Sequence, residues 1–240
     1  MGRHIKAEFL KLSKSFGFKV LLLCAVSGAV FAGILVALFY EGGFGETTGL
    51  DYFLNSISGE NQITNVFAGV FLGIFIGSEF SRGTFGISIA RGSSRIQVIL
   101  AKAVVFLAAL PLVVLVLPIT LSIPTTLANG FGDFNTLRLL RTIGLFVLTH
   151  WAMGGICVLL AVLIKNVAGI IGFSVVLLTF LFPILPEVHG LESVSRFMYS
   201  YHIVRVVEPQ SIALLITVCV ATLGITLTSA VIVFKRTELK

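Results

Sequence analysis

The chain has 240 residues, 57% of them hydrophobic and only 12% charged, with a formal charge of +6 and a mean hydropathy of +1.06. A soluble domain carries about 25% charged residues, and one core of this size cannot hide so much apolar surface. Soluble enzymes, disordered chains and disulfide scaffolds are thereby excluded, leaving an all-α polytopic membrane protein.

Residues 3–16 read RHIKAEFLKLSKSF. Ile5, Phe9, Leu12 and Phe16 fall on one helical stripe, with Arg3, Lys6, Lys11 and Lys14 largely off it. This pattern predicts an amphipathic interfacial helix over 1–17, rings toward lipid and ammonium groups toward anionic headgroups. The apolar run 18–40 is too long for a signal-peptide h-region and ends without a small-residue cleavage site, so it reads as a retained first span. Ala25, Ala29 and Gly33 repeat every four residues along it.

An acidic stretch then carries Glu41, Glu46, Asp51 and Glu60 without a base. The second span, 63–78, is short. Gly69, Gly73 and Gly77 make a second small-residue stripe, a surface that lets helix backbones approach closely in lipid.

The 79–102 loop holds the candidate functional residues. Glu79 stands where the span leaves the membrane, followed by Phe80 and Arg82. Gly83 and Thr84 offer a turn and an N-cap. Phe85, Ile87, Ile89 and Ala90 then form a short, mainly apolar helix that Gly92 stops, and Ser93 or Ser94 caps the next helix. Apolar residues exposed on such a helix call for a partner to dock into, with Arg82, Arg91 and Arg95 framing the contact.

Four more spans follow, at 103–127, 143–164, 167–186 and 211–234. The third span contains Pro111, Pro118 and Pro124, which predict a kink or a break near its far end. Only Lys165 and Asn166 separate the fourth and fifth, a tight hairpin. His150 lies within the fourth span, a candidate intramembrane polar site. The 187–210 segment mixes prolines, charges and aromatics, too polar to span, and reads as an outer segment. Tyr199, Tyr201 and His202 suit headgroup level there.

Charge orients these elements. Placing the N-terminus, the 79–102 loop, the 165–166 turn and the C-terminus on one side gathers 13 of the 17 Lys and Arg there. The positive-inside rule then gives an N-in, C-in topology with six spans. The basic residues sit along membrane borders, which excludes a nucleic-acid-binding face. Cys24, Cys157 and Cys219 lie in apolar runs at unrelated spacings, with no metal or disulfide signature.

The pattern Glu79-Phe80-x-x-Gly83-Thr84, then Arg91-Gly92-x-x-Arg95, then Lys102 resembles the loop between the second and third spans of ABC-2 type ABC transporter permeases. It is most similar to the small bacterial permeases of peptide and bacteriocin export or immunity. The resemblance extends to the interfacial helix, the six spans and the outer segment, and so covers the chain. It implies a coupling helix at 80–92 that enters a cleft in a cytoplasmic ATPase. It also implies a second permease subunit, as a homo- or heterodimer, and residence in the cytoplasmic membrane of a bacterium. The sequence has no GxxxxGK[ST] phosphate loop, so ATP and Mg belong to a separate ATPase subunit. No cofactor, metal or catalytic residue is expected on this chain. The 21 Phe and the scarcity of polar residues in the spans favour an amphipathic peptide or lipid-like substrate over a sugar or ion.

Other classes fit less well. An ion-coupled secondary transporter or channel places ionisable groups near the midplane, where His150 stands alone. Ser195-Arg196-x5-His202 imitates part of a lipid-phosphatase motif, but Val206 stands where that motif has Asp, and neither a GxSxG elbow nor an HExxH pair occurs.

Overall fold

The computed structural model describes residues 1–39, 45–58, 63–181, 197–198, 201–202 and 205–237. The elements in chain order are α1 (Gly2–Lys14), α2 (Phe16–Phe39), α3 (Gly49–Ile57), α4 (Ile63–Leu72), α5 (Ser78–Ser81), α6 (Thr84–Ala90), α7 (Arg95–Asn129), α8 (Thr136–Ile164), α9 (Val167–Val176) and α10 (Ile212–Arg236). Wider π turns continue α4 over Gly73–Gly77 and α9 over Leu177–Leu181. Among the described residues five helical stretches are long and apolar enough to cross a membrane: Phe16–Leu35, Ile63–Ser81, Arg95–Asn129, Thr136–Ile164 and Ile212–Arg236. Of the fifth sequence span, 167–186, Val167–Leu181 is an apolar helix shorter than these five, and the rest lies outside the described residues.

Helix α7 organises the molecule. Its 35 residues rise roughly 50 Å, well beyond the ~30 Å of hydrocarbon. The break expected near its far end does not occur, for the helix runs uninterrupted through Pro111, Pro118 and Pro124. At Pro111 the reason is visible: the Leu107 carbonyl, left without its i+4 donor, accepts from the Trp151 indole at 2.9 Å.

The glycine and alanine stripes lie inside the subunit. A Cβ on Gly73 would sit 2.2 Å from Ile171, and one on Gly77 would sit 3.2 Å from the Val167 backbone. Gly69 faces Ser174 and Val175, so α4 and α9 pack almost backbone to backbone. On α2, Ala25 and Ala29 are buried, and a Cβ on Gly33 would meet Pro124 of α7 at 2.6 Å.

One element was not expected. Within the acidic 41–62 stretch, α3 begins at a capping box in which Thr48 and Asp51 bond each other's backbone N–H. The Thr48 hydroxyl also donates to the Asp51 carboxylate at 2.7 Å, which together with the backbone bond holds that carboxyl below its ordinary pKa. Phe53 and Ile57 are buried. Asn129 donates to the Gly45 and Thr47 carbonyls, and the Gly130 and Phe131 carbonyls accept from Gly49 and Leu50. These bonds fasten α3 to the far end of α7. At the same end Arg138 pairs with Glu208 at 3.2 Å. Arg138, one of the four Lys and Arg that fall outside the basic side, thus has an acid partner. Tyr201 and His202 are buried within the subunit, while Tyr199 and most of the remainder of 187–210 lie outside the described residues.

Candidate functional site

At the opposite end of α7, four charged side chains from three segments meet. The Lys102 ammonium, only 3% exposed, sits 2.9 Å from a Glu79 carboxylate oxygen, donates to Glu8 as well, and lies 4.2 Å from the centre of the Phe75 ring. Lys11 bonds Glu8 at 2.7 Å and stands 3.8 Å from Glu79. Two carboxylates and two ammonium groups therefore balance. A buried ammonium is tolerable because both carboxylates and the ring face surround it. Partial burial pulls the Lys11 pKa down, but the Glu8 bond and the charges of Glu79 and Glu8 outweigh this and hold it above the usual lysine value.

The cluster couples α1 to the 79–102 loop. Glu79 has a third ligand, for the Thr84 hydroxyl donates to its carboxylate. The N-cap expected of Thr84 is absent, because the helix begins one residue earlier than expected: Gly83 occupies the cap position at φ +65, and no side chain caps α6. Gly92, at φ +92, ends the segment, and the Ser94 hydroxyl caps α7 by accepting from Gln97.

Phe85 is also placed differently from the expectation of a side chain exposed to a partner. It is 3% exposed and packs its ring 4.6 Å from Phe80 and 5.2 Å from Phe234 of α10. With Phe85 and Ile89 turned inward, Ile87 is the large apolar side chain on the free face of α6, 49% exposed. Arg82 and Arg91 are exposed beside it. Arg95 points back into the chain, where its guanidinium donates to the Lys235 and Thr237 carbonyls. Those carbonyls end α10 and have no helical donors, so a guanidinium there satisfies both bonding and dipole.

Glu8, Lys11 and Lys102 are the residues whose role a linear reading misses. The signal was present: Glu8 is the one acid in a basic helix, three residues before Lys11, and Lys102 heads an apolar run. His150, by contrast, does not join a polar constellation. It is buried in α8, its Nδ1–H donates to the Phe146 carbonyl at 2.8 Å, and its Nε2 has no partner among the described residues. Among the described residues no group of His, Cys, Asp and Glu is arranged to hold a metal.

The elements define a multi-pass helical membrane protein with a charged, helix-bearing cap at one end. No protein-family model matches the chain, and no curated protein matches it.

Proposed function

We propose that this chain is the membrane-spanning permease subunit of an ATP-driven ABC exporter of the ABC-2 type, with six spans and both termini cytoplasmic. A separate ATPase subunit would supply the ATP and Mg site and dock on α6. A second permease subunit would complete the pathway, moving amphipathic peptides or lipid-like compounds out of a bacterial cytoplasmic membrane. Closure of the ATPase pair would push α6 and alternate the opening of a central cavity.

The observation that carries this reading is the mounting of α6. The helix lies between the Glu79 hub and the long α7, is anchored through Phe85, and leaves Ile87 free with arginines beside it. A helix fixed on its inner face and apolar on its outer one can transmit a push to the bundle. A photo-crosslinking residue at position 87, expressed in the native host, tests it. The expected adduct is a protein carrying a GxxxxGK[ST] phosphate loop; an adduct with lipid alone would overturn the docking assignment.

A further inference from the structure

A cleft of about 160 Å³ opens between α1, α6 and the start of α7, lined by His4, Glu8, Lys11, Ser88, Arg91 and Ser93 among others. We infer that this cleft binds the phosphate of an anionic membrane phospholipid.

Charge is the first ground. The one acid lining the cleft, Glu8, is already bonded to Lys102 and Lys11, and behind it Glu79 is bonded to Lys102. The Arg91 guanidinium and the His4 ring have no hydrogen-bond or ion-pair partner among the described residues. An unpartnered guanidinium beside an imidazole and two serine hydroxyls offers a phosphate both a charge-assisted fork and neutral donors. The Ser88 hydroxyl now donates to the Thr84 carbonyl and can turn to a phosphate oxygen instead.

Geometry is the second ground, and it selects a lipid over a free anion. On α1, His4, Ala7, Glu8 and Lys11 form the face toward the cleft. The apolar stripe of Ile5, Phe9, Leu12 and Phe16 lies immediately beside it. Ile5 and Leu12 pack into the bundle, whereas Phe9 and Phe16 remain exposed. A headgroup in the cleft would therefore have an apolar surface next to it for its acyl chains, at the depth where a basic amphipathic helix rests. The site is also distinct from the docking face proposed for α6. Ser88 lies about 100° round α6 from Ile87, and Arg91, one turn beyond Ile87, borders both surfaces.

Native mass spectrometry of the purified full chain, titrated with phosphatidylglycerol, phosphatidylcholine or inorganic phosphate, tests this inference. Phosphatidylglycerol adducts should form at about tenfold lower concentration than phosphatidylcholine adducts, and the double variant H4Q/R91Q should lose that preference. R91K should retain most of it, and R236Q, at the C-terminal end of α10 and outside the lining of the cleft, should leave it unchanged. Thermal unfolding without added lipid checks that each variant is folded. Equal retention of the two lipids, or an unaltered preference in H4Q/R91Q, would overturn the site. Full competition by inorganic phosphate at the lipid's own concentration would overturn the lipid assignment. None of these outcomes depends on an ATPase partner, so the permease reading can fail separately.

Discussion

The Trp151 indole donates to the Leu107 carbonyl, 2.9 Å away, and that carbonyl is the one Pro111 leaves without a helical donor. A proline in a long span frees a backbone acceptor in a solvent that cannot bond it, and a side chain from the neighbouring helix supplies the donor. Trp151→Phe should destabilise the protein by about 1 kcal/mol beyond its loss of packing. Pro111→Ala restores the main-chain N–H, so the double variant W151F/P111A should be less unstable than the sum of the two single changes. Unfolding in detergent measures the cycle, and strict additivity would show that the indole bond carries nothing.

Lys102 should be the most sensitive charged position. Lys102→Met leaves Glu8 and Glu79 facing each other with only Lys11 to offset them, a loss of about 3–5 kcal/mol. The triple change E8Q/K102M/E79Q removes the uncompensated charge and should regain much of that stability. If K102M alone melts like wild type, the cluster is not a structural hub.

Gly73→Ala should separate α4 from α9, because the new methyl would overlap Ile171. Overpacking of this kind costs roughly 1–3 kcal/mol. Gly28→Ala is the control: open space surrounds it, and its midpoint should stay near that of wild type. Matching midpoints for the two variants would contradict the close contact.

Most of the helical framework can be read from hydropathy alone, since helices that must satisfy their own backbone in lipid announce themselves by length. The Lys165–Asn166 hairpin was legible for a local reason. Asn166 caps α9 by accepting from Gly169 at 2.6 Å, and Lys165 ends α8 in the left-handed region. What escaped was decided by tertiary contact. Helix α3 is too short to signal a span and is fixed by carbonyls 80 residues away in sequence. Phe85 looks exposable in a linear reading, because nothing local reveals that Phe234 closes over it. The Thr84 hydroxyl was expected to cap a helix and instead serves a carboxylate five residues back.

The structure gathers α1, the 79–102 loop and the end of α10 at one end of the bundle, and the 45–50 and 129–135 segments at the other. With the positive end cytoplasmic, single cysteines at Glu46 and Asn135, in a background lacking the three native ones, should react with a membrane-impermeant thiol reagent on intact cells. A cysteine at Ser94 should react only after the cells are opened. Ser56, buried on the inner face of α3, is a poor reporter for this purpose. Labelling of position 94 in intact cells, with 46 and 135 protected, would invert the orientation and remove α6 from the cytoplasm.

The measurement that bears most directly on the permease reading is ATP hydrolysis in reconstituted membranes, with the chain alone and with the ATPase captured at position 87. The chain alone should show no activity above background. The complex should hydrolyse ATP, and Ile87→Asp should uncouple it by placing a charge in an apolar contact, at a cost of several kcal/mol if the contact is dry. The variant should keep the wild-type melting point, because Ile87 touches the chain's own core least of the large apolar residues on α6. Hydrolysis by the chain alone, or undiminished stimulation by the Ile87→Asp variant, would contradict an ATPase-driven permease coupled through α6.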